Sequence, residues 1–338
     1  MSSMKSDTWN SISEISYRPI ADDPSATYTL IYFITGNPGL IAYYDTFLAT
    51  LYNLLLGSKH NSPNHFHIHG QSLAGFEDWE KHSSRSSPYS LEEQINISLQ
   101  SLQAQRIPSG PRQGQPYDII IVIGHSVGSY ILLELITRLR KSLSIIDIRA
   151  GILLFPTVTH IAQSPSGVKI STLFRIPDFA KRASSVAKAL VSVAPRSVLK
   201  WLVGFVTRMP SDAADVTARF LKSRMGIWQA LHMAKDEMDT ITEDRWDQDI
   251  WGIEHEELDQ KRQIPRLIFY FGENDHWVAN HTRDALIAAR GRIEDETSSS
   301  KPTMMIDENG IDHGFCIRHS ESIAEKVKVW IEGVMSGD

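Results

Sequence analysis

Short apolar runs, bounded by turn residues and separated by helical patterns, recur along most of the chain. This alternation is typical of parallel strands joined by crossover helices, because strands buried on both faces read as continuous apolar runs. The strand candidates are 28–35, 65–70, 117–124, 150–156, 265–272 and 302–308, with an earlier edge strand within 12–20. The helix candidates are 40–57, 90–105, 126–142, 280–291 and 320–335. We therefore expect an α/β fold with a mostly parallel central sheet flanked by helices.

The regular spacing of strands is interrupted once, between residues 158 and 262. Connections between strands of a doubly wound unit are far shorter than this stretch, which is helical in character. We predict that residues 158–262 form a helical cap inserted into a core of residues 1–157 and 263–338. Within the cap, residues 187–209 mix an apolar face with basic side chains. Two interpretations stay open for this segment: a helix pair packed over an active site, or an amphipathic surface that lies on a lipid interface.

The composition excludes several classes of protein. Hydrophobic residues make up 42% and charged residues 22% of the chain, which is typical of a globular protein rather than a disordered one or a membrane bundle. A formal net charge of -6 leaves no basic excess to neutralise phosphates, so no nucleic-acid partner is expected. The single cysteine, Cys316, cannot form an intrachain disulfide, which favours a reducing compartment such as the cytosol.

Residues 124–128 read Gly-His-Ser-Val-Gly, directly after a strand candidate and directly before a helix candidate. This is the context of a nucleophile elbow, a sharp turn between strand and helix that exposes a serine hydroxyl. The glycines fit the motif because bulky neighbours would not fit so tight a turn. Ser126 is therefore the candidate nucleophile, and the alternative is an ordinary serine at the start of a helix.

A serine hydroxyl becomes a strong nucleophile only when a base removes its proton and an acid holds that base in the right tautomer. Where an elbow serine is used, the acid and then the histidine follow it in chain order, each after a late strand. Asp275 follows the strand candidate 265–272 and His313 follows the last one, 302–308, so they are the predicted acid and base. Glu273 and Asp312 are the rivals for the acid.

The negative charge that develops on a tetrahedral intermediate needs backbone N–H donors that are already in place. Val127, immediately after the nucleophile, should supply one donor. The other should come from the loop "TGNPGL" at residues 35–40. Pro38 has no N–H to donate, which makes Asn37 the expected donor. The alternative is that this loop is a simple Gly/Pro turn.

Neither a cofactor nor a metal ion is expected. His65, His67 and His69 alternate along a strand candidate and share one face, but no carboxylate or thiolate completes a recognisable zinc-ligand spacing. No glycine-rich loop has the lysine and spacing of a phosphate-binding motif.

Four segments carry a family resemblance: "TGNPGLIAYYDTFL" after the first long strand, "GHSVGSYILLEL" at the elbow, "LLFPTVTHIAQSPSG" entering the cap, and "GIDHGF" near the end. They are similar to segments of the lipid-droplet-associated hydrolase family, and the resemblance covers nearly the whole chain. It implies an α/β-hydrolase fold, an ester hydrolase with Ser126, Asp275 and His313 as its triad, and association with lipid droplets or the endoplasmic reticulum.

Together, the residues and the resemblance predict a cytoplasmic serine ester hydrolase that cleaves a hydrophobic lipid or sterol ester through an acyl-enzyme on Ser126. The segment 187–209 would contact a lipid-droplet or membrane surface. Two alternatives stay open. One is a hydrolase of a small soluble ester, thioester or lactone in a biosynthetic pathway. The other is a lipid-droplet surface protein with vestigial hydrolysis.

Overall fold

The computed structural model of the protein describes residues 13–19, 23–58, 64–76, 85–142, 144, 146–252, 264–292 and 300–336. The strands among them are β1 (Glu14–Tyr17), β2 (Thr27–Ile34), β3 (Asn64–Gln71), β4 (Ile119–His125), β5 (Ala150–Leu154), β6 (Arg266–Phe271) and β7 (Thr303–Ile306). The predicted strands are therefore present, including the edge strand near the amino terminus.

Helices alternate with these strands. They are α1 (Asp45–Leu56), α2 (Leu91–Ala104), α3 (Val127–Lys141), α4 (Pro165–Phe174), α5 (Phe179–Ser192), α6 (Arg196–Thr207), α7 (Ser211–Lys222), α8 (Gly226–Thr240), α9 (Asn280–Arg290) and α10 (Ser320–Ser336). A single 3₁₀ turn, Ile41–Tyr44, precedes α1 where the sequence predicted one continuous helix over 40–57.

The strands form one seven-stranded sheet in the order β1-β3-β2-β4-β5-β6-β7. Only β1 runs antiparallel, to β3, and the other neighbours are parallel, as in β4 beside β2 and β5. Helices α2, α3 and α9 bury one face of the sheet, and α1 and α10 bury the other. The carboxyl end of β4, at the centre of the sheet, is therefore held on both sides by packed apolar side chains.

Five helices, α4 to α8, lie between β5 and β6, within the range predicted to form the cap. Leu199 and Val203 on α6 pack against Ala214 and Ala218 on α7, so these helices share a small apolar cluster of their own. Residues 253–262 of the predicted cap lie outside the described residues. The division into cap and core stays a prediction.

Among the described residues, no single helix has the length and apolar character needed to cross a membrane. Helices α5 and α6 have the necessary length and composition only when taken together, and the break between them bends the pair by 115°.

Candidate active site

Ser126 stands at the turn between β4 and α3, with φ 54° and ψ −123°. This region of backbone space is strained for a residue with a side chain, so surrounding contacts must impose it. The N–H of Ser126 donates to the carbonyl of Leu154 on β5 at 3.0 Å, and the N–H of Ser129 donates to the carbonyl of Ser126 at 2.9 Å. The elbow predicted from the sequence is therefore tied both to the sheet and to its own helix.

The two glycines of the motif are required by backbone contacts. A Cβ at Gly124 would lie 2.4 Å from the carbonyl oxygen of Gly128, and a Cβ at Gly128 would lie 2.4 Å from the carbonyl oxygen of Ile34. Both atoms that would be struck are backbone, which no side-chain rotation can move. Glycine at these positions lets α3 start directly against β4 and against the end of β2.

His313 and Asp275 meet at Ser126. Nε2 of His313 lies 2.9 Å from Oγ of Ser126, and Nδ1 of the same ring lies 2.6 Å from Oδ2 of Asp275. All three side chains are buried. Burial acts to raise the pKa of Asp275, but the charge and hydrogen bond of His313, the N–H of Trp277 and the charge of His276 together outweigh it, so the pKa lies below its ordinary value. Asp275 is thus the ionised partner of a buried imidazole.

The structure brings together the three side chains predicted as acid, base and nucleophile, and leaves the rivals outside. Glu273 and Asp312 are exposed, and within the described part of the chain neither carboxylate bonds to the His313 ring. The N–H of Trp277 donates to Oδ1 of Asp275 at 2.7 Å, which fixes the rotation of the carboxylate.

The loop after β2 lies directly against the elbow. A Cβ at Gly36 would lie 2.9 Å from Nδ1 of His125 and 3.0 Å from Cβ of Ser126, so a larger residue here would force the elbow or the loop to shift. Along the described chain, neither the N–H of Val127 nor the N–H of Asn37 donates a hydrogen bond. Both predicted oxyanion donors are therefore unengaged and belong to segments that adjoin Ser126.

The side chain of Asn37 has a role that the sequence did not predict. Its Nδ2 donates to the carbonyl of Ala230 at 3.0 Å and to Oε1 of Glu237 at 2.9 Å, both on α8. Burial raises the pKa of Glu237 to about 8, and the hydrogen bond from Asn37 offsets only part of that effect. Glu237 lies four residues after Met233 and four before Ile241, both buried, and this spacing was the signal that it occupies the inner face of α8.

A second unpredicted contact supports the loop of Asp275. The buried Arg283 on α9 donates through one terminal nitrogen to the carbonyls of Gly272 and Glu273, at 2.9 Å and 2.7 Å. These carbonyls belong to the turn between β6 and Asp275. No local sequence signal distinguishes this arginine from an ordinary surface residue of a helix.

The three alternating histidines of β3 contact different neighbours, and Nδ1 of His69 lies 3.5 Å from Oε1 of Glu14. His67 contacts the hydroxyl of Tyr117 through Nδ1 and lies 2.9 Å from Oγ of Ser16 through Nε2. His65 packs against the ring of Tyr28. Within the described residues, no group of three or more histidine, cysteine or acidic side chains is arranged to hold a metal ion.

The parallel sheet with helices on both faces, together with a serine turn at the carboxyl end of its central strand, is the architecture of an α/β-hydrolase. The predicted fold class is confirmed. A family model described as lipid-droplet associated hydrolase matches residues 27–316, and the chain belongs to that family. The resemblance noted in the sequence is thus confirmed, and the chain is a hydrolase by family.

Curated relatives match over most of their length. The lipid droplet-associated hydrolase of Rattus norvegicus is 26% identical over 316 residues, which cover 89% of this chain and 84% of the relative. The lipid droplet-associated hydrolase of Gallus gallus is 26% identical over 326 residues, which cover 93% of this chain and 89% of the relative.

A solved structure supports the fold independently. The peroxisomal alpha-beta-hydrolase Lpx1 of Saccharomyces cerevisiae superposes with a TM-score of 0.57 at 15% identity, covering 92% of this chain and 78% of that chain. At this identity the likeness concerns the fold alone.

Proposed function

We propose that this chain is a serine hydrolase of carboxylic esters, with Ser126 as nucleophile, His313 as base and Asp275 as the acid that orients the base. The observation that carries the proposal is the continuous hydrogen-bonded series from Asp275 through His313 to Ser126. Nucleophile, base and orienting acid in hydrogen-bond reach are the general mark of an activated serine.

In the first half-reaction, Oγ of Ser126 attacks the ester carbonyl carbon while Nε2 of His313 removes the hydroxyl proton across 2.9 Å. The carboxylate of Asp275 accepts a hydrogen bond from the N–H at Nδ1 of His313 and stabilises the imidazolium that forms. The carbonyl oxygen becomes an oxyanion, which the N–H groups of Val127 and Asn37 would stabilise.

Collapse of the tetrahedral intermediate breaks the bond to the alcohol, which takes its proton from Nε2 of His313. The acyl group then remains as an ester on Ser126. In the second half-reaction His313 removes a proton from water, the resulting hydroxide attacks the acyl carbon, and Oγ of Ser126 leaves with the proton returned by His313. No redox or electron-transfer group takes part in these steps.

The proposed substrate is a hydrophobic lipid or sterol ester, presented at a lipid surface. Support comes from the outer face of the predicted cap, where most of the large exposed hydrophobic side chains among the described residues are concentrated. Trp201 and Phe205 on α6 stack at 5.5 Å and are 64% and 71% exposed. Apolar patches of this kind mark sites of protein or membrane contact. The names of the relatives agree with such a surface.

Two of the basic side chains of residues 187–209 contact other parts of the chain. Arg196 forms an ion pair with Asp215 on α7 at 2.8 Å, and Lys188 donates to the carbonyl of Arg224. These two cations therefore serve contacts within the chain, and the apolar side chains carry most of the proposed lipid contact.

The catalytic proposal is tested by labelling purified protein with a fluorophosphonate probe, followed by peptide mapping of the adduct. We expect a single adduct on Ser126 because only an activated serine reacts rapidly with such a probe. Ser126→Ala removes the hydroxyl to which the probe would become bonded, and His313→Ala removes the base. Both variants are therefore expected to remain unlabelled. Ser185→Ala, an exposed serine on α5, is the matched control and should label like the wild type. An unlabelled wild type, or an adduct on another residue, contradicts the proposal.

The lipid-surface proposal is tested by flotation with triacylglycerol droplets coated with a phosphatidylcholine monolayer. Replacing both Trp201 and Phe205 with glutamate is expected to lower the bound fraction by at least about tenfold, since each large side chain contributes about 2 kcal/mol when buried. Val329→Glu, an exposed position on α10, is the control and should bind normally. Equal flotation of the double variant and wild type would show that lipid contact lies elsewhere. Turnover of soluble short-chain esters but not droplet lipid would favour the small-ester alternative.

A further inference from the structure

A buried series of hydrogen bonds joins the loop after β2 to the loop of His313 without passing through the hydroxyl of Ser126. The N–H of Gly36 donates to the Tyr44 hydroxyl oxygen at 3.1 Å, and that hydroxyl lies 2.7 Å from Nδ1 of His125. Nε2 of His125 lies 2.9 Å from the backbone carbonyl of His313. The series therefore begins beside the proposed oxyanion donor and ends at the residue proposed as base.

The direction of every proton in the series follows from its two ends. A carbonyl oxygen only accepts hydrogen bonds. Nε2 of His125 therefore carries the ring proton and donates a hydrogen bond to the backbone carbonyl of His313. A neutral imidazole has one N–H, so Nδ1 of His125 accepts, and the Tyr44 hydroxyl is the donor. The same hydroxyl oxygen then accepts the N–H of Gly36. Each polar group in the series has a partner, and removal of any one leaves another unpaired.

The surroundings keep this arrangement in one protonation state. Tyr44 and His125 are both buried, and the ring of Phe315 lies 5.0 Å from the His125 ring, centre to centre. Burial lowers the pKa of His125 to about 3, so the imidazole stays neutral at physiological pH. Burial also raises the pKa of Tyr44 and brings that of the neighbouring Cys316 thiol to about 12. None of these groups therefore titrates near neutral pH.

We propose that Tyr44 and His125 are positioning residues that hold the loop of Asn37 and the loop of His313 in register across the elbow. This inference rests on the proposed function, and it assigns the second residue of the Gly-His-Ser-Val-Gly motif a defined task. An oxyanion donor and a base act on the same reacting carbonyl, and a displacement of one relative to the other by a fraction of an ångström costs rate.

The test is Tyr44→Phe, which keeps the ring and removes only the hydroxyl. The N–H of Gly36 and Nδ1 of His125 both lose their partner, so we expect kcat for a fluorogenic ester to fall by about 10- to 100-fold with KM within about twofold, since the groups act on the transition state. kcat is expressed per molecule that the fluorophosphonate probe labels at completion, which removes unfolded protein from the count.

Tyr32→Phe is the matched control. Tyr32 is another buried tyrosine, on β2, whose hydroxyl donates to the carbonyl of Ser98 at 3.4 Å, away from the elbow. Loss of the Tyr32 hydroxyl should leave kcat within about twofold of wild type. A neutral hydrogen bond far from the elbow affects the stability of the fold and not the reacting groups. A merely structural role for Tyr44 would give the same result as this control.

A second variant, His125→Asn, keeps an acceptor for the Tyr44 hydroxyl but loses the donor to His313. If both residues act through one series, the double variant loses less than the product of the two single losses in kcat. The inference is overturned if Tyr44→Phe retains wild-type kcat while the wild type still labels at Ser126, or if the two losses multiply independently. An unlabelled wild type overturns both this inference and the proposed function.

Discussion

Replacing Asp275 with asparagine is expected to lower kcat for ester hydrolysis by about 10³- to 10⁴-fold while leaving the fold intact. The reason is specific to this site. Oδ1 of Asp275 accepts the N–H of Trp277 at 2.7 Å, so the amide oxygen of an asparagine would take that position. Its NH₂ group would then face Nδ1 of His313 in place of the carboxylate oxygen, and it would donate rather than accept.

The consequence is the wrong tautomer of the base. With Nδ1 of His313 accepting from the amide, the ring proton moves to Nε2, which then points an N–H at Oγ of Ser126 and cannot remove its proton. Asp312→Asn is the matched control, because Asp312 adjoins His313 in sequence but is exposed. Its kcat should stay within about twofold of wild type. A loss of less than about tenfold for Asp275→Asn would mean that another acid orients the base.

The strand pattern was predictable because buried parallel strands must be apolar on both faces. Each such strand therefore appears in the sequence as a short run of consecutive apolar residues. The approach of the three loops that follow β4, β6 and β7 is explained by the same sheet, since parallel strands end at one edge. Ser126, Asp275 and His313 each follow a strand that the sequence itself marks, and the prediction that they meet needed only the fold class.

The supporting contacts could not be predicted in this way. The side chain of Asn37 meets Glu237 across a separation of 200 residues, and Tyr44 meets His125 across 81. Such pairs depend on how a helix or a 3₁₀ turn docks onto the sheet, which local periodicity does not determine. The sequence signal was limited to where a polar residue stood among apolar ones.

The segment 187–209 illustrates a second limit. Helix α6 is apolar on two faces: Leu199 and Val203 face α7, whereas Trp201 and Phe205 face outward. A periodic pattern identifies one inner face of a helix, but it cannot say which of two apolar faces is covered. The tertiary structure shows which face of α6 is covered, and lipid contact by the other face stays a proposal.

The contact between the loop after β2 and α8 predicts an unusual dependence of stability on pH. The pKa of Glu237 is about 8 in the folded protein and near 4.5 when the side chain is exposed, so the folded state binds this proton more tightly. Stability from the bound proton is fully present below about pH 4.5 and is lost as the pH rises through about 8. The shift corresponds to a loss on the order of 5 kcal/mol across that window.

Glu237→Gln should remove this loss, because the amide stays uncharged and its oxygen still accepts from Asn37. We expect the free energy of unfolding of Glu237→Gln in urea to match that of the wild type near pH 5. Near pH 9 it should exceed the wild-type value by several kcal/mol, which is the stability that the wild type loses when Glu237 deprotonates. Glu325→Gln, at an exposed position on α10, is the control and should run parallel to the wild type at every pH. A constant difference between Glu237→Gln and wild type across the pH range would show that the buried carboxyl does not hold its proton. The link between α8 and the loop of Asn37 would then involve a carboxylate that is ionised throughout this pH range.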